Sequence, residues 1–196
     1  TKYMPGGDLY HAVHNLDKKN KTRIKPKVYG THLTIICMCI AHALRHVHRC
    51  GIIHRDIKPG NILLDDDGLP YLVDFGVSRL IHPENRHSQF VGTVSHMAPE
   101  VISSTNYGTK ADVFSYAILL FEVGEKRHAF HNAGKHSKEV CEKILRGERP
   151  LFSADAIPTA MKNLITRCWS QNPADRPSFD KIFQIFCEGK TYFKGS

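Results

Sequence analysis

The feature that most constrains the fold is a pair of short polar motifs separated by an apolar hairpin pattern. Residues 54–61 read HRDIKPGN and residues 74–76 read DFG. Between them, residues 62–73 hold two short apolar runs around an Asp-Gly pair, which is typical of two antiparallel strands joined by a turn. Such a hairpin places its outer ends side by side, so we expect Asn61 and Asp74 to lie close together. The sequence therefore predicts a site with an amide and a carboxylate at the open end of this hairpin.

A third motif, Ala98-Pro99-Glu100, follows the first two in order. Together the three resemble the catalytic loop, the metal-binding segment and the end of the activation segment of eukaryotic protein kinases. The resemblance implies an α+β, mainly α-helical fold, in which the large C-terminal lobe of a kinase carries a short β-hairpin at the catalytic cleft. We predict one partial kinase domain over residues 1–196, formed by the hinge and this lobe, with an activation segment at residues 74–100.

The resemblance also implies a reaction, the transfer of phosphate from ATP to Ser or Thr hydroxyls of protein substrates. Phosphoryl transfer depends on positioning and on charge neutralisation. Asp56 would accept the proton of the substrate hydroxyl. Asn61 and Asp74 would hold Mg²⁺, because hard cations prefer oxygen ligands. Lys58 would neutralise charge that develops on the transferred group.

Two alternatives to this catalytic interpretation remain. Asp56, Asn61 and Asp74 could simply form turns, which Asp and Asn favour, although the agreement of several ordered motifs favours catalysis. The chain could also be a non-catalytic, pseudokinase-like module that binds a partner.

The first ten residues resemble the hinge that contacts the nucleotide. By resemblance, Thr1 occupies the gatekeeper position, Met4 offers backbone groups to adenine, and Asp8 contacts the ribose. Leu63 would pack beneath the adenine ring. The alternative is a glycine-rich loop in which Asp8 caps the following helix; both interpretations can hold together.

The activation segment contains further candidates. A phosphate on Ser88 would pair with Arg55 and order the segment. Thr93 stands where Ser/Thr kinases have a threonine whose hydroxyl braces the catalytic residues. His96 occupies a position where a tyrosine is usual, which leaves substrate docking beside it open.

Other residues have expected structural roles by resemblance. Glu100 and Arg176 would form a buried ion pair between the activation segment and the helical base. Asp112 would bind the backbone of the catalytic loop. His54 and Phe75, which belong to the two central motifs, complete this set.

Hydrophobic periodicity predicts the helical framework. Thr31 is a candidate cap at the start of the first long helix, and Gly51 is expected to terminate it. The run after Asp112 is apolar on nearly all sides, which predicts a buried helix. The predicted helices span approximately residues 31–49, 112–121, 137–146, 159–170 and 179–188.

The formal net charge is +8, and part of the excess lies in one segment. Residues 18–27 hold six lysines and arginines without apolar periodicity, so we expect an exposed basic loop. A nucleic-acid binder is the function class that such charge could suggest. No basic stripe interleaved with aromatic residues accompanies it, so nucleic-acid binding is not expected.

The six cysteines form no C-x-x-C pair, which favours reduced thiols and a cytoplasmic location. The sequence has no apolar run of membrane-spanning length. His42 and His46 have the helical spacing of a zinc-ligand pair, but no third ligand is evident.

The resemblance begins at the hinge. The Gly-rich loop, the strand lysine and its glutamate partner, which active kinases require, do not occur in the sequence. We therefore expect the N-terminal lobe to be missing and the isolated chain to be inactive. Lys58 and the ending around Trp169 and Arg176 resemble the tyrosine-kinase-like branch of Ser/Thr kinases.

Overall fold

A computed structural model describes residues 3–14, 30–77, 79–80, 94–104, 107–130 and 137–194. Four predictions fall outside these residues, namely Thr1, Ser88, Thr93 and the basic loop at 18–27. The described helices are α1 (Leu9–His14), α2 (Gly30–Arg49), α3 (Pro99–Ser103), α4 (Lys110–Glu125), α5 (Ser137–Leu145), α6 (Thr159–Cys168) and α7 (Phe179–Cys187). The described strands are β1 (Gly7–Asp8), β2 (Ile52–Ile53), β3 (Ile62–Leu64), β4 (Pro70–Leu72) and β5 (Arg79–Leu80). The predicted α+β fold with mainly helical content is confirmed.

Helix α4 lies at the centre of the core. Every residue from 111 to 123 is buried, so this helix has no solvent-facing side and must be surrounded by other elements. It packs against α6 and against the 3-10 turn Val94–His96. The predicted buried helix is confirmed and is longer than expected at both ends.

Helix α2 is amphipathic and leads into the catalytic loop. Leu33, Ile36, Ile40 and Leu44 recur at three- and four-residue steps and are buried, while the helix packs along α7. The helix begins at Gly30, so Thr31 lies inside its first turn and the predicted capping role of Thr31 is wrong. Gly51 follows the helix with a φ of +70°, a conformation that glycine adopts without steric cost.

The hairpin is present, and a third short strand extends it. β3 pairs with β4 on one side and with β1 on the other, all antiparallel. β4 begins one residue earlier than the apolar run suggests because Pro70 pairs with Leu64. The Asp65 carboxylate organises the turn between them, since its Oδ1 accepts hydrogen bonds from the backbone N–H groups of Asp67 (3.1 Å) and Leu69 (2.8 Å).

The predicted helices in the C-terminal third are present but shorter. α5 ends one residue before the expected position and α6 ends two residues before it. After α5, Gly147 has a φ of +84° and donates a backbone hydrogen bond to Ile144, which closes the helix end. None of the described helices combines the length and the apolar composition that crossing a bilayer requires.

Candidate active site

The catalytic loop gathers two of the predicted residues, Lys58 and Asn61, around the carboxylate of a third, Asp56. Lys58 Nζ lies 2.6 Å from Asp56 Oδ2, and Asn61 Nδ2 donates to the same oxygen at 2.8 Å. Asn61 Nδ2 also donates to the backbone carbonyl of Asp56 at 2.8 Å. Asp56 is only 7% exposed, so these donors hold a largely desolvated carboxylate in one orientation.

Asp112, in the first turn of α4, fixes the backbone of this loop. Its Oδ2 accepts from the backbone N–H of His54 at 2.8 Å, and its Oδ1 accepts from that of Arg55 at 2.9 Å. His48 Nε2 lies 2.8 Å from Oδ2. Arg55 has a φ of +77°, which is costly for a residue with a side chain. The buried carboxylate therefore stabilises a backbone conformation that the loop would otherwise avoid.

His54 connects the two central motifs. Its Nε2 donates to the carbonyl of Val73 at 3.1 Å, while its Nδ1 accepts from the backbone N–H of Asp56 at 3.3 Å. This pattern requires a neutral ring with its proton on Nε2. Burial lowers the pKa of His54 below 6.5, although nearby carboxylates and the Val73 carbonyl oppose that shift. The ring also makes an edge contact with Phe75, with centroids 4.7 Å apart.

The hairpin brings the ends of the two motifs together. The backbone N–H of Val73 donates to the carbonyl of Asn61 at 3.1 Å, just beyond the paired strands. Asp74 is exposed and has a φ of +67°, and Gly76 follows so closely that a Cβ there would lie 3.2 Å from Asp74 Oδ1. The chain therefore turns sharply at the exposed carboxylate, next to Asn61.

The oxygen atoms at this end of the hairpin fit Mg²⁺. The amide nitrogen of Asn61 is bound to Asp56, so its amide oxygen takes no part in those contacts, and Asp74 contributes a carboxylate. Mg²⁺ is usually held by one or two such protein groups together with nucleotide phosphates. Within the described ranges, no group of three or more His, Cys, Asp or Glu side chains could hold a metal, and the His42 and His46 pair gains no support there.

The candidate nucleotide contacts lie on neighbouring strands. Asp8 pairs with Leu63 across β1 and β3, and the backbone N–H of Gly7 donates to the carbonyl of Met4 at 3.3 Å. A Cβ at Gly6 would lie 2.6 Å from the carbonyl oxygen of Leu64, so only glycine allows this approach. Leu63 is half-buried while its neighbours in β3 are fully buried, which places it on the face opposite to the core.

Asp8 also caps α1, as the alternative interpretation proposed. Its Oδ1 accepts from the backbone N–H of His11 at 2.9 Å, and its Oδ2 lies 2.7 Å from His11 Nδ1. The contact with a ribose remains a prediction.

Arg55 lies beside a cavity between the loop and α3. Its Nε is buried and has no hydrogen-bond partner among the described residues, while its guanidinium carbon lies 5.8 Å from the centre of the Tyr107 ring. Met97, Ala98 and Ser115 also line this cavity. The predicted phosphate partner of Arg55, on residue 88, is outside the described residues.

The ion pair expected between Glu100 and Arg176 is present and is bidentate. Arg176 Nη1 lies 2.6 Å from Glu100 Oε1, and Nη2 lies 2.9 Å from Oε2. Arg176 is only 1% exposed, and it also donates to the carbonyls of Ser170 (2.9 Å) and Lys110 (2.8 Å). The pair joins α3 to the chain that precedes α7.

Two further residues contribute to the site without a motif that indicates them. His48 falls within the predicted helix at 31–49, and no pattern in the sequence indicates its contact with Asp112 over 64 positions. Glu122 directly follows the apolar run of residues 117–121 in α4. An acidic residue next to such a run indicates an internal partner, and Glu122, which is 2% exposed, has three: the backbone N–H of Ala129, His96 and His128.

Comparisons with known proteins agree with this geometry. The sequence model of the protein kinase domain matches residues 1–186. The chain is 37% identical to RGS domain-containing serine/threonine-protein kinase A of Dictyostelium discoideum, over 93% of this chain and 15% of that protein. It is 37% identical to serine/threonine-protein kinase 12 of Arabidopsis thaliana, over 94% of this chain and 39% of that protein. It is 32% identical to human mitogen-activated protein kinase kinase kinase 7, over 100% of this chain and 31% of that protein. The chain thus spans less than half the length of each of these three relatives.

Proposed function

The chain belongs to the protein kinase domain family, and from that premise we propose that it transfers phosphate from ATP to Ser or Thr hydroxyls of protein substrates. The observation that carries the proposal is the arrangement of Lys58 and Asn61 around Asp56, with Asp74 turned out at the adjoining end of the hairpin. The activity is proposed for the full-length protein, to which residues 1–196 contribute the catalytic loop and the hairpin.

Each residue has a distinct role in this proposal. Asp56 orients the substrate hydroxyl and accepts its proton. Lys58, whose ammonium group already contacts that carboxylate, offsets negative charge near the transferred group. Asn61 and Asp74 would hold Mg²⁺, which when bound would neutralise phosphate charge.

The nucleotide would lie against the first strand. In this proposal Leu63 forms the floor under adenine, Met4 offers backbone hydrogen bonds, Asp8 contacts the ribose, and Thr1 occupies the gatekeeper position. Support comes from the pairing of β1 with β3, which sets Asp8 beside Leu63.

Specificity and regulation would reside in the activation segment, residues 74–100. Thr93 would brace the catalytic loop and, with Lys58, favour Ser/Thr substrates. A phosphate on Ser88 would dock on Arg55, whose buried Nε lacks a hydrogen-bond partner within the described part of the chain.

The location and the kinase branch rest on other residues. The six cysteines are free thiols, which supports a cytoplasmic location. Lys58 supports the tyrosine-kinase-like branch.

The substitution Asp56→Asn in the full-length protein tests the assignment. We expect kcat to fall by about 10²–10⁴-fold, the usual contribution of a general base, while the affinity for ATP changes little because Asp56 acts on the hydroxyl. The matched control is Asp66→Asn, which makes the same chemical change at an exposed turn position. Turnover that is unchanged in Asp56→Asn would refute the assignment.

A further inference from the structure

The hairpin at the catalytic loop has one face in the core and one open face. Along β3 and β4, Ile62, Leu64 and Leu72 pack in or against the core. Leu63 and Tyr71 alternate with them, and successive side chains of a strand point to opposite faces, so these two residues lie on the open face. Tyr71 is 44% exposed. The open face therefore carries a large aromatic side chain that the core does not use.

Tyr71 lies beside Leu63 on this face. The two residues are direct partners in the register of β3 and β4, and Asp8 in β1 is the partner of Leu63 on its other side. Directly opposed residues of antiparallel strands share one face, with Cβ atoms about 4.5–5.5 Å apart. A row of three side chains thus crosses the sheet, with a carboxylate at one end, an aliphatic side chain in the middle and an aromatic ring at the other end.

The open face borders the candidate Mg²⁺ site. Asn61 directly precedes β3, Asp74 comes shortly after β4, and the backbone N–H of Val73 donates to the carbonyl of Asn61 at 3.1 Å. A strand rises by about 3.3 Å per residue, so Leu63 lies roughly 7 Å along the chain from Asn61, and Tyr71 at most roughly 10 Å from Asp74. A nucleotide with its phosphates at Asn61 and Asp74 therefore has its base within reach of both side chains.

The order of the row sets the direction in which a nucleotide would lie on it. The polar ribose suits the end of the row that carries the Asp8 carboxylate. The flat base suits the apolar end, because a purine gains from burial against aliphatic and aromatic side chains, and aromatic rings bind bases through their π-faces. The base would then extend over Leu63 towards Tyr71.

We propose that Tyr71 is a binding residue for the base of the nucleotide, and that its ring extends the apolar floor that Leu63 provides. The inference rests on the proposed kinase function and adds to it a residue that lies outside the three sequence motifs. The contact is made by the ring and not by the hydroxyl. Tyr71→Phe should therefore bind nucleotide as the wild type does, whereas Tyr71→Ala should not.

Calorimetric titration of the full-length protein separates the base from the phosphates. The probes are adenosine, ATP with Mg²⁺, and inorganic tripolyphosphate with Mg²⁺. Tyr71→Ala should raise the Kd for adenosine and for ATP by at least about fivefold, as the loss of a contact between a base and an aromatic ring does. The Kd for tripolyphosphate should stay within about twofold of the wild-type value. An unchanged Kd for adenosine, or an equal loss of affinity for tripolyphosphate, would overturn the proposal.

The matched control is Tyr192→Ala, which makes the same change at a 53% exposed tyrosine outside the sheet and should leave all three Kd values unchanged. NMR of the wild type keeps the test decisive if Tyr71→Ala does not fold. In the protein saturated with adenosine, nuclear Overhauser contacts should join the base protons to the ring protons of Tyr71, which are assigned by comparison with Tyr71→Phe. The absence of these contacts, including the case in which another segment of the full-length protein covers the ring, would overturn the proposal.

The failure of this inference is distinguishable from the failure of the proposed function. A wild type that binds ATP with Mg²⁺, while Tyr71→Ala binds adenosine equally well, would overturn the role of Tyr71 and leave the kinase function intact. A full-length wild type that binds neither ATP nor adenosine would refute both. In steady-state kinetics, Tyr71→Ala should raise the KM for ATP by at least about fivefold and the KM for a peptide substrate by less than about twofold. Equal increases in both KM values would contradict a contact with the base.

Discussion

Asp74 is the single residue on which the proposed metal site depends most directly. We expect Asp74→Asn to abolish Mg²⁺-dependent nucleotide binding, because an amide lacks the charge that a hard cation requires. The fold should persist, since Asp74 is exposed with a φ of +67° and asparagine tolerates this region as well as aspartate does. Calorimetric titration of nucleotide into the full-length protein, with and without Mg²⁺, measures the effect.

The same substitution at Asp67, an exposed turn residue on the other side of the hairpin, is the matched control and should leave the titration unchanged. If Asp74→Asn and the wild type bind nucleotide with the same Mg²⁺ dependence, Asp74 is not part of the site.

For individual residues, the sequence predicted a contact only where a motif specifies the partner. The ordered motifs led to the contacts of Asp112 with the loop and of Arg176 with Glu100, although 76 positions separate the latter two. Glu122 and His48 could not be assigned in this way, because their partners come from the packing of α2 and α4 against distant segments. Where no such motif is present, a single sequence contains no pattern that pairs one buried polar residue with another.

Among the secondary structure elements, the sequence predicted the interiors better than the ends. Hydrophobic periodicity depends on burial, which is strongest in the middle of a helix or strand. The ends depend on individual hydrogen bonds. One example is the turn before β4. There Asp65 Oδ1 accepts two backbone hydrogen bonds, and the strand that follows begins at Pro70.

The connection between α3 and the chain before α7 should depend on Arg176. This guanidinium is fully buried as a side chain, and Glu100 is 17% exposed. Because removal of one partner leaves the other uncompensated in a low dielectric, Arg176→Ala should cost about 3–5 kcal/mol in the free energy of unfolding. Arg176→Lys should restore only part of it, since lysine cannot make the bidentate contact. Chemical denaturation measures both values.

The double variant Glu100→Ala/Arg176→Ala should cost less than the sum of the single variants, because the two residues share one interaction. Arg146, which lies 3.1 Å from Glu148 with both side chains about half exposed, provides the control, and Arg146→Ala should cost at most about 1 kcal/mol. Additive effects below 1 kcal/mol at Arg176 would contradict a buried, coupled pair and the placement of α3 that depends on it.

Across the whole molecule, buried polar side chains join segments that are distant in sequence. Asp112 holds the catalytic loop, Arg176 holds α3, Glu122 holds the turn before it, and His54 holds the chain that follows β4; none of the four is more than 2% exposed. The pKa values of His54 and Glu122 are both lowered in the folded protein, so part of the pH dependence of stability should be traceable to individual residues.

His54 gives this dependence a definite sign. Its pKa is lowered by burial relative to 6.5, so at higher pH the ring is neutral in both the folded and the unfolded state. As the pH falls below about 6.5, the unfolded chain binds a proton that the folded protein excludes, and the free energy of unfolding should decrease by at most about 1.4 kcal/mol per pH unit for this one proton. The decrease should level off once the pH passes the lowered pKa of the folded protein, where both states are protonated.

Urea unfolding from pH 8 to pH 5 measures this effect as the difference between the wild type and His54→Gln. Glutamine retains a donor and an acceptor but does not titrate, so the variant should be less stable at pH 8 and should lose less stability on acidification. The exposed His46, replaced by glutamine, should leave the slope close to that of the wild type. Equal slopes in the wild type and His54→Gln would mean that His54 accepts a proton in the folded protein as readily as in the unfolded chain. The neutral ring between Val73 and Asp56 would then be the wrong description of the link between the two motifs.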